Sequence, residues 1–81
     1  MTILLFGITK DIVGQPTLSL SHSEARNLQT AGELKSYLKD HYPAIGKLSS
    51  LAVAVNSEYA RDEHALKEED EIAIIPPVSG G

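Results

Sequence analysis

The feature that most limits the fold is one well-marked amphipathic helix at the middle of an 81-residue chain. Thr30 and Glu33 stand three residues apart, the spacing of a capping box at a helix start. Apolar residues then recur at intervals of three and four up to Leu38, and Pro43 stops the pattern because the residue before a proline avoids helical geometry. The sequence therefore predicts a helix over 31–41 with one apolar side that other elements must cover.

Short β-prone runs flank this helix, two before it and three after it. They are Ile3–Phe6, Thr17–Leu20, Leu51–Val55, Tyr59–Ala60 and Glu71–Ile75. Apolar or alternating runs of this length, bounded by Gly, Pro, Asn or Ser, are typical of strands. The order of elements predicts an α+β domain in two layers, with a mixed sheet of about four to five strands packed on one main helix.

Two segments between the predicted elements are less regular. Ile8–Val13 has apolar residues at helical spacing and is followed by Gly14, a good C-cap residue, so it predicts one or two helical turns. Ser21–Gln29 is rich in polar residues and predicts a loop, with Leu28 fixed to the core.

Composition excludes several classes of function. The chain has no cysteine, which excludes disulfides, thiolate catalysis and cysteine metal sites. Its net charge of −4 argues against a nucleic-acid binder, which would neutralise phosphates with Lys and Arg. The three histidines show no spacing typical of metal ligands, so we expect no metal site. No signal peptide or membrane span is evident, and a cytoplasmic location is expected.

Acidic residues are concentrated in one stretch, between Glu58 and Glu71. This stretch holds seven of the chain's 11 Asp and Glu residues, and only Arg61 and Lys67 offset them there. A charge run of this kind is most often a solvated face, and the alternative is a surface that steers a basic partner.

The carboxyl end of the chain is unusual, because an apolar strand is followed at once by Pro76-Pro77-Val78-Ser79-Gly80-Gly81. Two prolines favour a stiff, extended base. Fully extended, the six residues reach roughly 20 Å. Such an end fits a narrow tunnel in another protein, where its α-carboxylate would meet catalytic groups. The alternatives are a frayed end or an artificial boundary without function.

The run DEIAIIPPVSGG (residues 70–81) resembles the end of the small subunits of molybdopterin synthase, a family of sulfur-carrier proteins with the ubiquitin-like β-grasp fold. The resemblance extends to ILLFGITKDIVG (3–14), TAGELKSYL (30–38) and LAVAVNSEYA (51–60), in order. The Pro-Pro before Val-Ser-Gly-Gly is its most specific part. This sequence departs from the family at Glu69, where a glycine is common, and at Ile74 and Ile75, which are often aromatic.

The resemblance implies a division into a β-grasp domain over 1–75 and an extended functional tail over 76–81. It implies that Gly81 carries sulfur as a thiocarboxylate, after adenylation of its carboxylate and displacement of AMP by a persulfide sulfur. The remaining expected site residues divide into the inserted tail and a docking patch. Their members are Pro76, Pro77, Val78, Ser79 and Gly80 for the tail, and Phe6 and Ile75 for the patch, with plain core as the alternative for Phe6 and Ile75.

The resemblance also implies the partners. One is the large catalytic subunit of molybdopterin synthase, in a heterotetramer of two small and two large subunits, which transfers the sulfur to cyclic pyranopterin monophosphate. The other is an E1-like, MoeB-type adenylating enzyme that uses ATP and Mg²⁺. The chain itself would bind no cofactor and would not be an enzyme on its own. A carrier for thiamine synthesis or tRNA thiolation, a ubiquitin-like protein modifier, and a β-grasp interaction module with an inert tail remain as alternatives.

Overall fold

The computed structural model describes residues 1–77 and contains five strands and four helices in that range. The strands are β1 (Thr2–Leu5), β2 (Thr17–Ser19), β3 (Ala52–Val55), β4 (Glu58–Ala60) and β5 (Ile72–Ile75). The helices are α1 (Gly7–Val13), α2 (His22–Ala25), α3 (Ala31–His41) and α4 (Pro43–Gly46). All five predicted strands and the main helix are therefore confirmed.

The strands form one mixed sheet in the order β2-β1-β5-β3-β4. The parallel pair β1 and β5 lies at the centre, with Leu5 opposite Ile74, and every other pairing is antiparallel. β3 and β4 are joined by a tight turn at Asn56 and Ser57, both with positive φ, as expected for a two-residue hairpin loop of this kind. The last strand of the chain is therefore the middle strand of the sheet.

One face of the sheet packs on α3 and forms a single core. Every second residue of β1, β3 and β5 points into it, together with the apolar side of α3 and residues from the loops. The core comprises Ile3, Leu5, Leu18, Leu20, Leu28, Ala31, Leu34, Leu38, Ile45, Val53, Val55, Ile72 and Ile74. A short apolar run such as Ile3–Phe6 predicts a strand buried on both faces, but on the other face of the sheet Thr2 is exposed and Leu4 only partly buried.

Helix α3 has the predicted bounds, and its capping box explains where it starts. The Thr30 hydroxyl accepts from the Glu33 amide at 3.2 Å, and Glu33 accepts from the Thr30 amide at 3.1 Å. These bonds satisfy amides that a helix start leaves without partners. At the other end the chain leaves the helix at Tyr42, directly before Pro43.

Two short helices were not predicted. The expected loop 21–29 contains α2, where Ser21 and Glu24 form a second capping box. Pro43 not only ends α3 but also starts α4, because its fixed φ suits the first position of a helix. Leu28 is buried as expected, and Ile45 of α4 is fully buried, so both segments contribute to the core.

The acidic stretch is partly engaged by contacts within the chain. Asp62 pairs with Lys35 at 2.6 Å, and Glu68 contacts His22 at 2.6 Å. Asp70 closes its own turn, accepting from the Lys67 amide at 2.9 Å. Glu69 does not take positive φ, so the turn needs no glycine at this position. Whether the remaining carboxylates steer a partner stays a prediction.

Acid titration of Asp70 should be visible in the stability of the fold. Hydrogen bonds from the Lys67 amide and the Asn56 side chain hold the pKa of Asp70 below its usual 3.8. Because the pKa of Asp70 is lower in the folded chain than in the unfolded chain, the ionised carboxylate stabilises the fold. This contribution is fully present above the pKa of the unfolded chain and is lost as the pH falls through the pKa of the folded chain. We expect Asp70→Asn to lower the thermal unfolding midpoint at neutral pH and to converge with wild type in strong acid. Glu69→Gln, an exposed neighbour without a hydrogen bond in residues 1–77, is the control, and an equal effect of both changes would contradict this assignment.

Candidate functional site

The root of the tail lies at the end of the central strand. Pro76 and Pro77 follow β5 directly and are half-buried, and neither can donate a hydrogen bond that would continue the strand. β1 runs parallel to β5 on one side, and β3 runs antiparallel to it on the other. The predicted tail residues Val78, Ser79, Gly80 and Gly81 lie outside the described residues, so their roles stay predictions.

Gly7 lies close against this root. It has φ +54°, a conformation that favours glycine, and a Cβ placed on it would lie 3.1 Å from Cγ of Pro76. Gly7 is the first residue of α1, and only Phe6 separates it from β1, the strand that pairs with β5. Because Gly7 has no side chain, the turn between β1 and α1 can lie directly against Pro76, the first proline of the tail.

The same turn is held by a buried threonine. Thr9 is fully buried, and its hydroxyl accepts from the Phe6 amide at 3.2 Å and donates to the Phe6 carbonyl at 2.6 Å. Phe6 continues the extended backbone of β1, and its side chain is 48% exposed. The fold thus fixes the backbone of Phe6 while leaving the aromatic ring accessible.

The uncovered side of the sheet forms an apolar surface, which we call the open face. One row crosses all five strands through residues that are paired in register, namely Thr17, Leu4, Ala73, Ala54 and Tyr59. A second row places Ile75 opposite Ala52. Phe6 follows the Leu5–Ile74 pair with an extended backbone, which puts it level with Ile75 along the two strands. The open face therefore comprises Leu4, Phe6, Ala52, Ala54, Tyr59, Ala73 and Ile75.

The two predicted docking residues, Phe6 and Ile75, both lie on the open face, and Ile75 directly precedes the tail root. The structure argues against the plain-core alternative for Phe6, since about half of its surface is exposed, whereas Ile75 is half-buried. Sequence reasoning missed Tyr59, which is 77% exposed on the same face. No local pattern in the sequence predicts this position, because it depends on the register that pairs Tyr59 with Ala54.

A groove lies on the other side of the tail root. Its walls come from α1, from the segment that follows α4, and from the tail root itself. The lining residues are Gly7, Ile8, Asp11, Leu48, Ser49, Pro76 and Pro77. Ile8 is 46% exposed, so large apolar side chains flank the tail root on both sides.

Comparison with known proteins places the chain in a family. The model of the ThiS family matches residues 3–81, nearly the whole chain. The chain belongs to the ThiS family. Two similar relatives are named molybdopterin synthase sulfur carrier subunit. The one from Dictyostelium discoideum is 38% identical, and the match covers 98% of this chain and 93% of the relative. The one from Arabidopsis thaliana is 35% identical, and the match covers 98% of this chain and 80% of the relative.

Solved structures agree with this membership of the ThiS family. The crystal structure of small archaeal modifier protein 1 from Haloferax volcanii matches with a TM-score of 0.74 at 26% identity, covering 99% of this chain and 97% of that one. The protein of that name from Methanosarcina acetivorans matches with the same TM-score at 28% identity, covering 99% and 94%. The predicted ubiquitin-like β-grasp fold is confirmed. No helix within residues 1–77 is long and apolar enough to cross a membrane.

Proposed function

We propose that this ThiS-family chain is the sulfur-carrier subunit of a molybdopterin synthase and carries sulfur as a thiocarboxylate on Gly81. The observation that carries the proposal is the position of the tail root at the end of the central strand, beside an exposed apolar face. The relatives named as molybdopterin synthase sulfur carrier subunits, similar over nearly the whole chain, support it. The chain has no catalytic role of its own in this proposal.

The chemistry begins with activation of the Gly81 carboxylate. A carboxylate is a poor electrophile, so an E1-like adenylating partner uses Mg²⁺ and ATP to form the acyl-adenylate and release pyrophosphate. The terminal sulfur of a persulfide donor then attacks the carbonyl carbon, and the carbon–oxygen bond to AMP breaks. A thiol cleaves the sulfur–sulfur bond that remains, which leaves the thiocarboxylate on Gly81. ATP and Mg²⁺ belong to the partner, and this chain needs no cofactor.

The tail delivers the sulfur by insertion into the large subunit. Pro76 and Pro77 stiffen its base and lower the conformational entropy lost on insertion. Val78 and Ser79 are small, and Gly80 and Gly81 add no side chain, so a narrow tunnel can admit them. In the large subunit the sulfur passes to cyclic pyranopterin monophosphate, and two transfers build the dithiolene. The assembly would contain two small and two large subunits.

The open face provides the docking contact for these partners. Phe6 is half exposed and Ile75 half-buried near the tail root, and Tyr59 is exposed on the same face two strands away. Aromatic side chains contribute strongly to protein interfaces. A partner that covers this face holds the tail at its own catalytic centre. Because the cycle consumes ATP, we place it in the cytoplasm.

A second candidate function is conjugation of Gly81 to other proteins. The solved structures named small archaeal modifier protein 1 favour it, since they match this chain over 99% of its length. Both functions begin with the same adenylation and differ in the acceptor of the acyl group. Adducts of this chain on lysines of other proteins would support the modifier function.

The first chemical step tests whether the Gly81 carboxylate is activated, which the proposal requires. The purified chain is incubated with an E1-like adenylating enzyme from the same organism, Mg²⁺ and ATP, and pyrophosphate release is measured. We expect release that saturates with carrier concentration and depends on a free Gly81 carboxylate. A chain with its terminus amidated is the matched control, and release that is equal with the amidated chain would overturn the proposal.

A further inference from the structure

Thr9 is a buried polar residue for which the proposed function gives no role. Its side chain is fully buried, yet both of its hydrogen bonds go to the backbone of one residue, Phe6. Phe6 is also one of the most exposed apolar residues within residues 1–77, at 48%. A buried hydroxyl thus fixes the backbone of a residue whose side chain faces outward.

The same two hydrogen bonds also fix Gly7, which follows Phe6 in the turn. With the Phe6 amide and carbonyl both held by Thr9, the backbone enters Gly7 in a defined direction. Gly7 takes its positive φ there and lies against Pro76. Thr9 is therefore connected, through one residue, to the docking side chain of Phe6 and to the first proline of the tail.

We propose that Thr9 is a positioning residue. By holding the Phe6–Gly7 turn, it keeps the Phe6 side chain on the open face and Gly7 against Pro76, so that the docking surface and the tail root keep a fixed relative orientation. This inference rests on the proposed function. Pre-organised groups bind more tightly because less conformational entropy is lost on association. If the Phe6–Gly7 turn loosens, the partner must order the aromatic side chain and the tail root together.

The chain offers a matched control for this role at Thr30. Thr30 also binds backbone near a helix start, accepting from the Glu33 amide at 3.2 Å, but it belongs to α3 and not to the tail root. The change Thr→Val keeps the shape of the side chain and removes the hydroxyl at either position. Both changes remove a side-chain bond at a helix start, at α1 for Thr9→Val and at α3 for Thr30→Val, but only α1 begins beside the tail root.

The experiment compares Thr9→Val, Thr9→Ser and Thr30→Val as substrates of the adenylating enzyme with Mg²⁺ and ATP. Thermal unfolding by circular dichroism confirms that each variant is folded at the assay temperature. We expect Thr9→Val to raise the KM for the carrier about ten-fold, because the partner must then order a few side chains and a short segment on binding. The kcat should stay within about two-fold of wild type. Thr9→Ser, which keeps the hydroxyl, should retain a near wild-type KM, and so should Thr30→Val.

A KM for Thr9→Val no higher than that for Thr30→Val would overturn the positioning role, since general stability would then explain both. Failure of the wild-type chain to support pyrophosphate release would instead overturn the proposed function, so the two failures are distinguishable. If Thr9→Val does not fold, Thr9→Ser is tested alone by NMR. The nuclear Overhauser contact between Gly7 and Pro76 should persist in it, and loss of this contact with the hydroxyl retained would contradict the proposal.

Discussion

Removal of Gly80 and Gly81 is expected to abolish sulfur loading completely and to leave the fold unchanged. The new terminus would be Ser79. Its side chain would then occupy the end of the proposed tunnel, which is expected to be too narrow for any side chain. The core residues within 1–77 all lie between Ile3 and Ile74, well before the deleted positions, so we expect the core to form without them. We expect the free energy of unfolding to stay within about 0.5 kcal/mol of wild type, as for changes away from the core. Intact-mass spectrometry after alkylation with iodoacetamide measures the sulfur loading, and denaturant unfolding measures the stability.

Ser79→Ala is the matched control for this deletion, because it alters the same tail and leaves the terminal glycines in place. We expect it to load sulfur at a rate close to wild type. A deleted chain that still loads sulfur would show that Gly81 is not the carrier, and the tail would need another explanation.

Replacement of Phe6 by alanine is expected to weaken binding to the large subunit by about 30-fold, which corresponds to about 2 kcal/mol, the threshold of a hot-spot residue. Phe6 is about half exposed and directly precedes Gly7, which lies against Pro76, so we expect a partner that accepts the tail to cover Phe6. Isothermal titration calorimetry with the large subunit measures the loss. Because the ring is half exposed and Thr9 holds the backbone, the fold should tolerate the change.

Ile8→Ala is the matched control for Phe6→Ala. Ile8 is 46% exposed and lies two residues away, but it faces the groove beside α1 and not the open face. Truncation there should cost less than about five-fold in affinity, well under the hot-spot threshold. Equal losses from both variants would contradict the assignment of docking to the open face and would extend the interface into the groove.

Much of the fold was predictable because its signals are local. The bounds of α3 follow from the Thr30–Glu33 capping box and from Pro43, and both signals act within one or two turns of the helix. Helix α2 was missed although Ser21 and Glu24 have the same capping spacing, because its four residues contain few apolar positions. Helix α4 was missed because Pro43 was taken only as an end of α3, whereas it also starts the next turn.

The candidate site was predictable only where its residues carry a sequence signal of their own. The tail and its two prolines are evident in the sequence, and Phe6 and Ile75 were expected to dock. The contact of Gly7 with Pro76 joins residues 69 positions apart and depends on the parallel pairing of β1 with β5. The place of Tyr59 on the open face likewise depends on the register of β4 with β3, which no local pattern specifies.

The central claim, sulfur carried on Gly81, is tested most directly by intact-mass spectrometry of the chain after incubation with its activating enzyme, ATP and a persulfide donor. Exchange of one carboxylate oxygen for sulfur adds about 16 Da, the same mass as oxidation of Met1 to its sulfoxide, so iodoacetamide alkylation is needed to separate the two. A carrier should give an ATP-dependent, alkylatable species that fragmentation assigns to Gly81. If no alkylatable species forms with all three components present, the chain does not carry sulfur at its terminus.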